Sequence, residues 1–469
     1  MVQWIFETLL KDYAMSYNFL PCDRNQSYLL PPSLADWLPQ GHLAWFVLDA
    51  VDQIDLSPFY EKYHINGVGN SAFNPSMMVA LLIYAYCSGE RSSRQIEKHC
   101  QSDVAYKVIA ANQSPDHSTI SRFRKDNQSH LKTLFLEILR LCAEAGLVKL
   151  GNVSLDGTKI KANASLAANR TEEHLEKEIE QMLSEAAAKD AQEDKAFGID
   201  KRGDEMPEEL KDRNSRIHRL KACKERLEQE KAQAIAAQQD KIEQRVAKEE
   251  STGQKARGRK PKPPEEAYNK EAKANVTDPD SRIMKTQKGY VQGLNAQAVV
   301  TEQQVIVAED VTQQENDKKQ LHPMLEQAES NRQAVEIEEK IGVALADCGY
   351  GSEENFTKTA AGGIELLVAT QKDHKQRKAM KEQPPPDEPI PDGLSPTELM
   401  ERKLLTERGR QLYKLRGQSV EPVFGQIKDV RGFDRFMQRG LEACRGEWSL
   451  VCATHNLLKL WRSSKTCWN

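Results

Sequence analysis

The 469-residue chain has no run of about 18 or more apolar residues, so no segment is built to cross a bilayer as a helix. Its opening residues, MVQWIFETLLKDYAMSY, carry acidic and polar side chains where a secretory signal needs an apolar centre. A cytoplasmic protein with no membrane partner is therefore expected. The nine cysteines are odd in number and form no CxxC pair, which argues against a disulfide framework and a zinc knuckle and leaves reduced thiols in a core. Ten histidines show no ligand spacing, so neither a zinc site nor histidine-based catalysis gains support. There is no internal repeat. Net charge is also scarce: −4 overall, with a pI near 6.3, announces no nucleic-acid partner, although the charge is unevenly spread.

The segments present change period along the chain. Residues 27–150 read as helical: HLAWFVLDAVDQI (42–54), SMMVALLIYAYCSG (76–89), SSRQIEKHCQ (92–101) and 114–146 carry apolar residues at helical spacing, the last with Ser114 or Asp116 as N-cap and Gly146 as stop. NVSLDGTKIKA (152–162), GYVQGLNAQAVVT (289–301) and QVIVAEDVT (304–312) alternate as strands, the last two joined near Glu302. GVALADCGYGS (342–352) and IELLVAT (364–370) read as short buried strands. A mixed five-stranded sheet with flanking helices fits this order. Residues 171–250 hold 22 acidic and 16 basic residues and few large apolar ones, which predicts two long helices in an exposed hairpin. STGQKARGRKPKPP (251–264), with five basic residues and no acid, and KEQPPPDEPIPDGLSP (381–396) read as linkers.

Two aspartates stand where strands should meet solvent: Asp156 in VSLDGTKI and Asp347 in VALADCGYGS. A carboxylate in an apolar strand is costly unless it is paired or binds a metal. Phosphodiester chemistry uses such acids, converging from different elements, to hold two divalent ions. An aspartate that caps a turn or pairs with a lysine would look the same. A third acid, Glu421, lies in YKLRGQSVEPVFGQIKDVRGFDRF among Tyr413, Arg416 and Lys428, with Ser419 as a cap and Pro422 in the first turn of a helix. From Arg410 to Gly440 there are seven basic and three acidic residues, a setting in which the acid would hold an ion and the bases phosphate. An ordinary salt-bridged helix start has the same composition.

These segments resemble those of DDE-type bacterial insertion-sequence transposases, in the group whose last acid lies in a Tyr–Arg–Glu–Lys signature. LDGTKIKANAS resembles the surroundings of the first acid, DPDSRIMKTQKGYVQGLNAQ the next strand, and ALADCGYGSEEN the second acid. VEPVFGQIK with GFDRFMQRGLEACRGEWSLVCATHNLLKL resembles the third acid and closing helix, while FNPSMMVALLIYAYCSGERSSRQIEKHC and PDHSTISRFR resemble a helical N-terminal domain. The resemblance covers most of residues 25–165 and 278–465. It implies an α/β, ribonuclease-H-like fold with the first two acids on adjacent strands and the third on a later helix. It also implies Asp156, Asp347 and Glu421 as ligands of Mg²⁺, with Mn²⁺ as a substitute, and Tyr413, Arg416 and Lys428 as DNA or terminus contacts. Four residues lie between Arg416 and Glu421 where the signature usually has three, so the resemblance carries Glu421 further than Arg416.

The organisation expected is a tail over 1–26, a helical end-binding domain over 27–150, and a catalytic domain formed by 151–170 and 278–469. The hairpin 171–250 and a basic linker 251–277 interrupt it, and the Pro-rich linker 381–396 lies within it. PDHSTISRFRKDN resembles the second helix of a helix-turn-helix, which makes Arg122, Arg124 and Lys125 candidate DNA contacts. An amphipathic helix packed within its own domain reads nearly as well. Lys285 and Lys288, just before a core strand, are placed to reach phosphate or merely to solvate it, and ARGRKPKP resembles a minor-groove hook less than a solvated linker. The expected partners are the element's terminal inverted repeats, target DNA, and further copies of the chain, because two ends must be processed together. The expected activity is DNA cleavage followed by transfer of the freed 3′-OH. An inactive transposase-derived DNA-binding protein and a metal-dependent nuclease without joining are the other readings.

Overall fold

The computed structural model describes residues 33–466 apart from 64–71, 198–215, 256–259, 267, 270, 287–288, 359–362, 387–389 and 392. The tail expected over 1–26, Lys288, and Arg257 and Arg259 of the basic linker lie outside the described residues.

The N-terminal part is helical: α1 (Leu43–Val51), α2 (Pro75–Cys87), α3 (Ser93–Ser102), α4 (Val104–Ile109), α5 (His117–Asp126) and α6 (Gln128–Glu144). Local chemistry sets the boundaries. Asn74 caps α2 by accepting from the Ser76 N–H, and Pro75 occupies the first turn, where its missing N–H costs nothing. Helix α2 is buried on nearly every side, from Met78 to Cys87. Asp116 caps α5 through the Thr119 N–H. The segment 114–146, expected as one helical run, breaks at Asn127, whose amide donates to the Phe123 carbonyl at 2.7 Å. Gly146 stops α6 with φ +70°, a conformation suited to glycine.

The sheet is built on β1 (Asn152–Lys161). The other strands are β4 (Arg282–Thr286), β5 (Gly289–Thr301), β6 (Ile306–Thr312), β7 (Val343–Ala346) and β8 (Glu365–Val368). A separate two-stranded pair joins β2 (Asn169–Thr171) to β3 (Lys273–Asn275). Strand β1 runs antiparallel to β5, from Val153↔Thr301 to Lys161↔Gly293, and parallel to β7, from Asn152↔Val343 to Leu155↔Ala346. Strand β8 continues parallel beyond β7. The far side of β5 is shared: its first residues pair with β4 and its last with β6. Among the described residues the main sheet thus has six strands, where the sequence predicts five. The unpredicted strand, β4, is five residues long, carries Arg282 and Lys285, and buries only Met284, so its apolar pattern is faint. The mixed α/β sheet, with Asp156 and Asp347 on neighbouring parallel strands, agrees with the arrangement that the resemblance implies.

Helices cover both faces, as the continuous burial of β5 from Gln292 to Thr301 requires. They are α9 (Leu321–Ala334), α12 (Glu407–Gly425) and α13 (Leu441–Thr466), joined by α10 (Asp373–Glu382) and α11 (Pro396–Leu405). A single hydrophobic core runs from Phe135 and Ile138 of α6 through Val299 and Leu345 of the sheet to Val451 of α13. The helical N-terminal part therefore shares its core with the sheet. Trp448 is fully buried near its centre, its ring centroid 5.9 Å from Phe433 and its indole N–H donating to the Gln297 carbonyl at 3.1 Å. Trp448→Ala is expected to cost about 3–5 kcal/mol, read as a shift of the urea midpoint. A loss below about 1 kcal/mol would show that Trp448 is not a packing centre of this core.

Two further helices, α7 (Glu172–Phe197) and α8 (Arg216–Thr252), lie in the stretch predicted as a helical hairpin. They form a small core of their own, with Leu175 against Leu220, Cys223 and Leu227, and Ala274 of β3 beneath. No helix among the described residues is long and apolar enough to cross a membrane.

Candidate active site

Asp156 lies midway along β1, opposite Ala298 of β5. Asp347 follows β7 directly, one step beyond the Leu155↔Ala346 pair, so the two acids stand side by side where β7 ends. Asp347 also caps the turn Cys348–Tyr350, accepting from the Gly349 N–H at 2.9 Å. Asp156 Oδ1 accepts from the Gly157 N–H at 2.8 Å, and Oδ2 receives Arg416 Nη2 at 2.9 Å.

Helix α12 brings Arg416, but its start differs from the expectation. Thr406 is the N-cap, accepting from the Gly409 N–H, so Ser419 and Pro422 lie deep in the helix. Ser419 instead faces the sheet and hydrogen-bonds Ser154 Oγ at 2.7 Å. Proline in a helix interior leaves the carbonyl four residues earlier without its donor. Here the Gln304 side-chain amide donates to the Gln418 carbonyl at 3.0 Å and replaces it. Beyond Gly425 the helix widens into a π turn, Gln426–Val430, and Lys428 donates to Thr158 Oγ1 and to the Lys159 carbonyl.

Arg416 is buried, with 6% of its side chain exposed, and joins the acids electrostatically. Its Nη1 lies 3.6 Å from Glu421 Oε1, which is also 3.4 Å from Arg377 Nη2. Glu421 itself is half exposed. Five positions along a helix turn a side chain by about 140°, whereas four would turn it by about 40°. The additional residue between Arg416 and Glu421 thus carries Glu421 off the face that packs on β1. Among the described residues, no group of three or more His, Cys, Asp or Glu is arranged to hold a metal.

Burial pushes the Asp156 carboxyl up to about 7, against the pull of Arg416, with Asp347 and Asp317 adding to the rise. Asp347 is raised in the same way, by burial first and with Arg416 opposing. Burial also lowers Lys428, opposed by Asp429, Asp434 and Asp156. Tyr413 is buried beside these groups, and its hydroxyl has no hydrogen-bond partner. It lines a cavity with Asp373, Arg377, Lys414, Gln418 and Glu421.

Asp317, in the loop before α9, lies against the other face of β1, beside Gly157 and Lys159. Its Oδ1 accepts from Asn295 and Gln297, each at 2.7 Å, and lies 3.7 Å from Lys159 Nζ. QQENDKKQ looks like any polar loop, and only the folded chain singles out its aspartate.

The predicted DNA contacts divide. Arg122 and Lys125 are exposed on α5 and line a cavity with Arg94, His117, Ser92 and Gln438. Arg124 points inward with 4% exposure, its guanidinium donating to Tyr86 Oη at 3.0 Å, the Arg91 carbonyl at 2.9 Å and Ser93 Oγ at 3.2 Å. Its surroundings give it a structural part in place of the DNA contact. Helix α4 intervenes between α3 and α5, and Lys285 is exposed on β4.

The chain thus has a mixed α/β sheet with Asp156 within one central strand and Asp347 just beyond its parallel neighbour, faced by a helix that carries Glu421. Two families match the chain: Transposase domain (DUF772) over residues 32–126 and Transposase DDE domain over residues 250–457. The chain belongs to the DDE-type insertion-sequence transposases. Asp347 and Glu421 fall within the second match and Asp156 lies before it. No curated protein and no solved structure matches the chain.

Proposed function

We propose that this chain binds the ends of its element, cleaves DNA and transfers the freed 3′-OH to target DNA, with Asp156, Asp347 and Glu421 as its acids. The observation that carries the reading is the pair Asp156 and Asp347 on adjacent parallel strands, tied through Arg416 to Glu421. Magnesium fits this donor set, because it is usually held by one or two carboxylates and completes its shell with water and phosphate. Two buried like-charged carboxyls, both driven towards protonation, also gain from a cation between them. When bound, divalent ions supply charge stabilisation at the attacking and leaving oxygens of the phosphodiester.

The chain's own residues do the positioning. Asp156 and Asp347 present oxygens from a rigid sheet, Arg416 holds Asp156 in one rotamer, and Glu421 closes the site from the helix side. Tyr413, Arg377 and Lys414 line the adjoining cavity, where a phosphate of the cleaved strand finds both charge and a hydroxyl donor. Lys428 fixes the end of α12 to β1. Arg94, Arg122 and Lys125 form the end-binding surface, read as a cytoplasmic protein working on double-stranded DNA as a homo-oligomer.

The test incubates purified protein with Mg²⁺ and DNA carrying its element ends. Cleavage followed by joining is expected. Cleavage without joining would mean a nuclease, and binding without cleavage an inactive DNA-binding protein. If three phosphates are neutralised, raising salt from about 50 to 200 mM lowers end affinity about 40-fold. Replacing Arg94, Arg122 and Lys125 by Gln then lowers the slope of log affinity against log salt by about 3. An unchanged slope removes this surface from the proposal.

A further inference from the structure

The exposed cations of α5 face a cleft that the N-terminal part does not complete by itself. Ser118, Arg122 and Lys125 stand at i, i+4 and i+7 on α5, so they share one exposed face. With Arg94 of α3 they line a cleft of about 750 Å³. Met437 and Gln438, from the segment between the π turn and α13, complete its lining. Among the described residues that line it, Asp126 is the single acid, and Arg94, Arg122 and Lys125 belong to no ion pair. The cleft therefore joins the N-terminal part to the part that carries the acids, and its charge suits a chain of phosphates.

The segment that completes the cleft is held from both parts. Glu447 of α13, 1% exposed, accepts from the Met437 N–H at 2.9 Å and the Gln438 N–H at 3.0 Å. Arg124 donates to Tyr86 Oη at 3.0 Å, and Tyr86 donates in turn to Glu447 Oε1 at 3.4 Å. Gln438 turns its amide oxygen to Arg124 Nε at 2.8 Å and Nη2 at 3.0 Å. Arg124, buried beneath the exposed face of α5, thus holds the wall that Arg122 and Lys125 share. The segment is also stitched to the end of β1, the strand that carries Asp156. The Phe436 N–H donates to the Lys161 carbonyl at 2.8 Å, and Asn163 Nδ2 donates to the Met437 carbonyl at 2.9 Å. With its backbone fixed on both sides, Met437 leaves a half-exposed apolar side chain in a cationic cleft. Deoxyribose beside phosphate offers the matching surface, since backbone contacts include the sugar.

We propose that this composite cleft seats one sugar-phosphate strand of double-stranded DNA between α5 and Met437–Gln438. The proposal rests on the end-binding reading above and deepens it. End binding then uses both parts of the chain, and the seated strand is set in register with β1 before cleavage. Contacts of this kind position a duplex without reading its sequence.

The experiment measures binding of the full chain to a fluorescent duplex carrying the element end, and to a random duplex, across a range of salt. Met437→Lys adds one cation to the cleft. It is expected to tighten both duplexes and to steepen the slope of log affinity against log salt by about 1. Met437→Glu sets a like charge against phosphate and is expected to weaken both at least about tenfold. Equal melting temperatures check that each variant is folded, and either one alone suffices for the test. Binding that responds to replacing Arg94, Arg122 and Lys125 by Gln, but not to Met437→Lys or Met437→Glu, overturns the composite cleft alone. Binding that responds to none of these changes overturns the end-binding surface and the inference together. A response confined to the element-end duplex would place Met437 on bases and overturn the backbone seat. Altered self-association of the Met437 variants with no change in DNA binding would assign the cleft to a second copy of the chain and also overturn it.

Discussion

Asp156→Asn is expected to abolish strand cleavage, by on the order of 10³-fold or more, while end binding stays within a few-fold of wild type and the metal-free protein becomes more stable at alkaline pH. The loss follows from removing a charged oxygen donor at the centre of the site. The stability gain follows from linkage. The Asp156 carboxyl is raised by burial from 3.8 to about 7, so between those values the folded chain keeps a proton that the unfolded chain has released. Folding stability then falls as pH rises from about 4 to about 7. Asparagine carries no such penalty. Variant and wild type should melt together near pH 4, and the variant later at pH 8, both in EDTA. Glu309, pushed up to about 8 by burial, adds a fall of the same sign but is present in both proteins and cancels. Cleavage above contaminant level in the variant would remove Asp156 from the chemistry. A melting difference that does not change with pH would show that Asp156 is not held near neutrality. A gain in stability on losing activity is what a site built from uncompensated charge predicts.

The sheet was legible because its signal is local. Val153, Leu155 and Ile160 around Asp156, and the run Val343–Ala346 before Asp347, alternate or cluster as strands do, and an acid at the end of such a run stands out by its cost. Neither β4 nor Asp317 offers such a contrast: one buries a single side chain, and the other sits in a polar loop. The start of α12 was misplaced for a physical reason. Ser419 followed closely by Pro422 looks like a cap and a first turn, and nothing nearby shows that a glutamine 114 residues away supplies the missing hydrogen bond. Arg124 was within reach of the sequence. It shares a helical face with Ile120, Phe123 and Asn127, all buried, so periodicity sets it apart from exposed Arg122 and Lys125. The spacing between Arg416 and Glu421 was visible, but not its geometric effect: Arg416 is buried on Asp156 and Glu421 is half exposed.

Arg416→Met should therefore prove nearly as damaging as loss of an acid, and damaging in a way that depends on pH. Arg416 is the cation that holds Asp156 down against burial, and it opposes the rise of Asp347 as well. An arginine beside an aspartate typically lowers it by about 1–3 units, so its loss lifts Asp156 well above neutrality. At pH 7 the ionised fraction then falls by about 10–10³-fold, and cleavage is expected to fall by about 10²-fold. Between pH 7 and 9 the variant should regain activity in proportion to hydroxide, while wild type changes little above pH 8. Arg416→Lys keeps the charge but not the planar fork that reaches Asp156 and Glu421 together, and is expected to fall between the two. The same side chain acting only as a DNA contact would give another pattern: weaker end binding, a shallower salt dependence and an unshifted pH profile. The profile of Arg416→Met thus separates an arginine that sets the charge of Asp156 from one that grips phosphate. A recovery with pH would tie the helix to the chemistry through the sheet acid it faces.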